Sequence, residues 1–151
     1  MVFMPEERED AVTADEIIAL LALTPHPEGG HYRQSWVETP AEGRPAGTCI
    51  YFLLKAGERS HWHRVDATEI WHYYAGAPLV LRLCPDESGP VSEAVLGPDL
   101  ATGARPQRIV PKDWWQAAES TGDWTLVGCT VSPGFRFEGF ELAPIGVDFP
   151  L

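Results

Sequence analysis

Positive charge is what this sequence has least of. Its 151 residues carry 11 Lys and Arg against 22 Asp and Glu, a formal net charge of −11. A phosphate backbone needs a basic footprint, so the balance argues against nucleic acid and against an anionic membrane surface as partners. A phosphorylated small molecule stays possible in principle, because one local Arg cluster can hold it. Cysteine is scarce as well. Cys49, Cys84 and Cys129 are odd in number and form no C-x-x-C pair, which excludes a disulfide framework. Each lies in an apolar run and reads as a buried free thiol of a reducing compartment. No apolar run approaches the ~20 residues of a membrane span, and no basic segment followed by an apolar one opens the chain. A cytoplasmic location without membrane contact is therefore expected. With no internal repeat, low-complexity stretch or linker, the expected organisation is a flexible N-terminus over residues 1–12 and a single domain over 13–151.

Glycine and proline, at 14 each, are abundant, and aromatics make up 11%. Such a mixture suits short strands joined by tight turns. Thr13-Ala14-Asp15-Glu16 has the form of a capping box, with a hydroxyl at the N-cap and a carboxylate three residues on. A short amphipathic helix follows through Ile17, Ile18, Leu20, Leu21 and Leu23, ended by Pro25 and Pro27. Ten strand-like runs come next, at residues 30–37, 48–55, 61–65, 69–74, 79–84, 92–96, 107–110, 115–119, 124–132 and 135–142. Turn chemistry separates them, for example at Ala56-Gly57, Ser88-Gly89-Pro90 and Pro133-Gly134. The expected fold class is all-β, a jelly roll or barrel preceded by one helix.

Between Gly57 and Gly76 fall three of the five histidines, His61, His63 and His72, together with Glu69. Strand alternation puts His61, His63 and Val65 on one face, with Trp62 and Arg64 on the other. A hairpin at Val65-Asp66-Ala67-Thr68 lets Glu69, Trp71 and Tyr73 face the same interior as His63. Imidazole and carboxylate converging there make either a metal site or an acid–base pair. On the same alternation His72 and Arg64 face away.

These residues resemble the cupin superfamily. Gly57, His63, Glu69 and Gly76 match the spacing of its first motif, with Val65 where a second metal-binding histidine belongs. Pro111-Lys112-Asp113-Trp114-Trp115-Gln116 matches the second motif, with Gln116 in place of the third histidine. The segments His26-Pro27-Glu28-Gly29-Gly30-His31-Tyr32-Arg33, Glu69 to Tyr74 and Leu126 to Phe135 are similar to the DUF985, or cupin 5, family. That resemblance implies a cupin double-stranded β-helix, or jelly-roll barrel, usually a homodimer, with no settled activity. It also implies that the strand after Gly30 crosses to a partner subunit, bringing Tyr32 and Arg33 to the neighbour's pocket.

Three functions are open at this point. The first is an enzyme of the epimerase or isomerase kind acting on a small polar molecule, a sugar or nucleotide-sugar. Here His63 is the general base, Glu69 the acid or orienting group, and Tyr51, His61, Trp71, His72, Tyr73, Trp115 and Gln116 the ligand-binding set. The second is a non-catalytic binding protein using the same pocket. The third is a metal-dependent enzyme. No cofactor is assigned, but a divalent metal is the alternative, held by His63, Glu69 and Gln116, or with His61 if His61 and His63 form the His-x-His pair. Two strong ligands hold a transition ion poorly against water, and an amide adds little. The plain structural reading also stands beside these: a buried ion pair persists in a core without catalysis, and single aromatics fill barrels.

Overall fold

The computed structural model describes residues 12–150; the flexible N-terminus expected over 1–12 lies, apart from Val12, outside them. Helix α1, Ala14–Leu21, is capped by Thr13, whose hydroxyl accepts the Glu16 N–H at 3.2 Å. The Glu16 carboxylate accepts from that same hydroxyl rather than from the Thr13 backbone, so the box closes in one direction only. The helix ends before the prolines, at Ala22, which takes a left-handed conformation (φ 55°).

Eleven strands follow: β1 Thr24–Pro25, β2 His31–Val37, β3 Thr48–Lys55, β4 Arg59–Val65, β5 Thr68–Gly76, β6 Leu79–Cys84, β7 Ser92–Leu96, β8 Gln107–Val110, β9 Trp115–Ser120, β10 Trp124–Ser132 and β11 Phe140–Leu142. They form two antiparallel sheets, ordered β1-β2-β3-β10-β5-β8 and β11-β4-β9-β6-β7. The expected hairpin at residues 65–68 is instead a corner between sheets. β4 pairs with β9 and β11, whereas β5 pairs with β10 and β8. The two inner faces still look at one another, so the shared interior survives the change of pairing.

Alternation decides which side chains enter the barrel. Phe52 and Leu54 of β3 point inward and pack with Trp71, Leu79, Leu81, Val110 and Val127. Leu53, between them, points outward and is covered by Ile17 and Leu23 of the helix segment. An apolar run on β3 thus reflects burial on both faces. Trp62, Cys84 and Trp115 face outward from the second sheet, beneath Phe149 and Ala143 of the C-terminal segment. Burying each such side chain contributes roughly 1.5–3 kcal/mol. Cys84 and Cys129 are buried and Cys49 is partly so, all three free thiols. No helix among the described residues is long and apolar enough to cross a membrane.

Candidate functional site

The barrel interior is apolar at one end and polar at the other, where Glu28, Ser60, His63, Glu69 and Gln116 are all buried. A bulge in β4 sets the register. Ser60 pairs with Ala118 and His63 with Gln116, so three steps on β4 oppose two on β9. The extra residue turns both Ser60 and His63 inward and sends Trp62 to the outer face. Strict alternation placed His61 with His63. The bulge separates them, and the His61 ring reaches the carbonyls of Ala143 and Pro144 at 3.1 Å.

Glu28 enters from the turn before β2. The turn is closed by His26 N–H to the Gly30 carbonyl at 2.9 Å and Gly29 N–H to the His26 carbonyl at 3.0 Å. Gly29 has φ 107°, and a Cβ there would collide with the Arg59 carbonyl. Gly30 has φ 77°, and its Cβ would come within 2.8 Å of Leu53 and Leu54 atoms. Only glycine allows this close passage of the turn over β3 and β4. The His61 N–H fastens the turn by donating to the Glu28 carbonyl at 2.7 Å. The Glu28 side chain then points inward to Ser60 and His63.

Hydrogen-bond partners fix where the protons are. His63 Nδ1 lies 2.8 Å from the His61 carbonyl, which can only accept, so Nδ1 carries a proton. In the neutral ring Nε2 is then a lone pair, and it faces Glu28 Oε2 at 3.3 Å. On the other side of Glu28, His26 Nδ1 accepts the Glu28 backbone N–H at 3.1 Å and sits 3.3 Å from Oε1. The Glu28 carboxyl is flanked by two lone-pair nitrogens, an arrangement favourable only when a proton sits on Glu28 or on His63. The Ser60 hydroxyl donates to Oε2. Burial pushes Glu28 up to about 8, against the opposing Ser60 hydrogen bond, and pushes His26 down to about 4. His63 is lowered, chiefly by burial, against the opposing charge of Glu69. The neutral forms of Glu28 and His63 are therefore the resting pair at neutral pH.

Glu69, from β5, is held by a different chain of contacts. The Gln116 amide donates to Glu69 Oε1 at 2.8 Å, and the Gln116 carbonyl accepts the Trp71 indole N–H at 2.7 Å. Burial raises Glu69 to about 7, with His63 opposing the rise. Cys129, behind it, has its thiol pushed well up by burial, so it is a neutral neighbour.

His63, Glu28 and Glu69 share a cavity of about 180 Å³. Its wall is completed by Tyr32, Gln34 and Thr48 among the polar residues and by Ile50, Val131 and Phe135 among the apolar ones. The loop carrying Phe135 and Phe137 is tied down by Arg44, which donates to the Gly134 carbonyl at 2.7 Å and to both Asp66 oxygens. Arg136 joins Asp66 at 2.9 Å. These guanidinium groups, Arg44 first, hold the Asp66 carboxyl below the usual carboxylate range.

Of the residues singled out from sequence, His63 and Glu69 meet in this cavity. Gln116 stands behind Glu69, and Trp71 holds Gln116 from the apolar core. The remaining five lie elsewhere. Tyr51 packs beside the helix, and the Tyr73 hydroxyl donates to the Gly76 carbonyl. His72 meets the Thr130 hydroxyl at 3.2 Å, Trp115 lies under Arg64, and His61 is turned away as described. Tyr32 lines the cavity of its own chain, because β2 pairs with β1 and β3 of that chain. His26, Glu28 and Ser60 were not singled out as site residues. The available signal was a glutamate directly before two glycines, in a turn rich in proline and histidine.

The donors do not suit the metal set that the resemblance implies. Val65 is apolar, and both ends of the Gln116 amide are engaged by Glu69 and Trp71. Among the described residues no group of three or more His, Cys, Asp or Glu side chains is disposed to hold an ion. Asp113 supplies one further link to the second motif. It occupies the motif's glycine position and keeps a left-handed backbone (φ 68°), which Asp tolerates better than most residues.

The chain also compares closely with solved structures. A Shewanella oneidensis protein is 44% identical with a TM-score of 0.82, covering 87% of this chain and 85% of that one. A hypothetical protein from Leishmania major is 30% identical with a TM-score of 0.80, covering 87% and 88%. More distant in sequence is a dTDP sugar isomerase from Desulfovibrio desulfuricans, 19% identical with a TM-score of 0.57, covering 83% and 88%. At that identity the likeness concerns the fold alone. No curated protein matches. The model of the cupin superfamily family DUF985 matches residues 15–143, and the chain belongs to that family.

Proposed function

We propose that the cavity binds a small polar molecule and moves a proton on it, in the manner of an epimerase or isomerase. The observation that carries this reading is the Glu28–His63 contact of 3.3 Å, with Glu69 on the same cavity wall. Moving a proton beside a carbonyl needs a base for the C–H and an acid for the oxygen. His63 accepts the carbon-bound proton at Nε2, its tautomer held by the His61 carbonyl. Glu28, protonated at rest, turns its O–H away from Nε2 as the ligand enters and keeps its own proton, so His63 alone holds the carbon-derived proton and returns it. Glu69, near half-protonated at pH 7 because burial raises it to about 7, gives its proton to the carbonyl oxygen. The resulting enol recovers a proton at carbon while Glu69 takes one back, so the proton count closes. A similar fold in a protein described as a dTDP sugar isomerase is compatible with this chemistry without supporting it.

The experiment is solvent exchange. Glyceraldehyde, dihydroxyacetone and hexoses are incubated with the protein in D2O, and deuterium at the carbon beside the carbonyl is followed by NMR. The reading expects incorporation that falls by about 10²–10⁴-fold in His63→Gln. A ligand that raises the melting temperature yet never exchanges would favour the binding protein.

We propose in addition that the chain forms a homodimer through the six-stranded sheet, where Trp36, Tyr74 and Ile109 are 55%, 48% and 60% exposed. Sedimentation equilibrium with Ile109→Glu tests it; a wild-type monomer contradicts it.

A further inference from the structure

The cavity floor holds two buried carboxyl groups, Glu28 and Glu69, and among the described residues its lining contains no lysine or arginine. Arg44 and Arg136, beside the loop that carries Phe135 and Phe137, both bind Asp66. A phosphate or carboxylate entering here would meet acceptors with no cation to offset it, and burying such a charge unpaired is costly. What the wall does offer is neutral hydrogen bonding. Thr48 accepts the Phe135 N–H at 2.9 Å and keeps its own hydroxyl proton for donation. Tyr32 contributes a hydroxyl and Gln34 an amide. Phe135 and Phe137 present aromatic surface to C–H groups. The volume, about 180 Å³, lies below the ~300–1,000 Å³ of sites for drug-sized ligands.

We propose that the ligand of this cavity is an uncharged, hydroxylated carbonyl compound of triose to hexose size, and that phosphorylated or nucleotide-linked forms are excluded from it. The inference rests on the proton-transfer reading for the carbonyl and on the cavity lining for the missing charge. Selection is by absence of a cation: a neutral ligand leaves Glu28 and Glu69 free to keep their protons, whereas an anionic one competes with them.

Matched pairs test it on the full chain. Glyceraldehyde, fructose and glucose are titrated beside glyceraldehyde 3-phosphate, fructose 6-phosphate, glucose 6-phosphate and dTDP-glucose, with binding read by calorimetry. The expected result is that neutral members bind at least about tenfold more tightly than their esters. Gln34→Arg, at the solvent-exposed part of the lining, is expected to shift the ratio by about tenfold or more toward the esters, because it supplies the missing cation. Equal or tighter binding of the esters by the wild type overturns the inference, as does a ratio that Gln34→Arg leaves unmoved, or no binding by any neutral member. Solvent exchange run on the same samples separates the two ideas. A neutral sugar bound without exchange leaves the charge selection standing and defeats proton transfer. An ester bound with exchange does the reverse.

Discussion

Glu28 Oε2 faces His63 Nε2 at 3.3 Å, although the two residues arrive on elements 35 positions apart in the chain. A glycine turn delivers the carboxyl and a bulge in β4 delivers the imidazole. Both deliveries are irregularities of the backbone, and neither would exist in a barrel of straight strands. Irregular backbone concentrated at one end of a regular barrel is a common way to aim side chains into a shared space.

The pair gives stability a defined pH dependence. Glu28 is raised from 4.5 to about 8 and Glu69 from 4.5 to about 7, so their protonated forms favour the folded state. That contribution is complete below pH 4.5 and is lost as pH rises through 7 and 8. His26 is lowered from 6.5 to about 4, so its contribution is complete above 6.5 and is lost as pH falls through 4. Between pH 6.5 and 8 only the carboxyls act, and the wild type is expected to lose on the order of 2 kcal/mol across that window. Urea unfolding at a series of pH values checks this. Glu28→Gln should flatten most of the slope, and an unchanged slope in that variant would assign it elsewhere.

Gly29→Ala should be severely destabilising, by roughly 2–4 kcal/mol, because φ 107° is unfavourable for alanine and the new methyl meets the Arg59 carbonyl. Gly57→Ala is the control: φ is 79° there, but nothing lies within 4 Å of the added methyl. The comparison of melting curves isolates the close approach from the backbone preference. Similar losses in both variants would deny the turn its special packing.

Removing the Gln116 amide breaks two contacts. In Gln116→Leu the Trp71 indole N–H and Glu69 Oε1 lose their partners inside the barrel. At about 1–3 kcal/mol per unsatisfied group, a loss of roughly 3 kcal/mol is expected. The Gln116 hydrogen bond also restrains Glu69, so its carboxyl should titrate higher than about 7 in the variant. Carboxyl carbon NMR of labelled glutamate reads that change, and a lower value would contradict the account.

Metal affinity should follow the donor set. Wild-type melting temperature is expected to be insensitive to EDTA and to added zinc, since Val65 and a Gln116 bonded to both Glu69 and Trp71 replace two imidazoles. Val65→His combined with Gln116→His adds those donors beside His63 and Glu69, and zinc should then raise the melting temperature. A wild-type protein that loses stability in EDTA would show that these residues hold an ion after all.

Much of the barrel was legible beforehand. Five strands, β3, β6, β7, β8 and β10, run as alternation and turn residues predict. The last run, 135–142, is strand only over Phe140–Leu142, because Phe137–Gly139 forms a 3₁₀ turn. The two-residue β1 carries too little pattern to be seen. His63 and Glu69 were found because motif spacing and alternation agreed on them. His61, Trp115 and Tyr51 were misdirected for identifiable reasons. A bulge breaks the period of two at His61, and outer faces covered by the C-terminal segment or the helix also bury aromatics, Trp115 fully and Tyr51 in part. Glu28 was overlooked because its burial depends on a turn passing over β3 and β4, a tertiary contact that local periodicity does not contain.

The central claim is that His63 is neutral, protonated on Nδ1, with its Nε2 lone pair facing a protonated Glu28. Nitrogen-15 NMR of the imidazole rings, followed from pH 5.5 to 8, measures this directly. The account predicts that His63 shows a protonated Nδ1 and an unprotonated Nε2 at ~pH 7, and that its titration falls below the ordinary value of 6.5. A His63 that titrates near 6.5, or that carries its proton on Nε2, would contradict it.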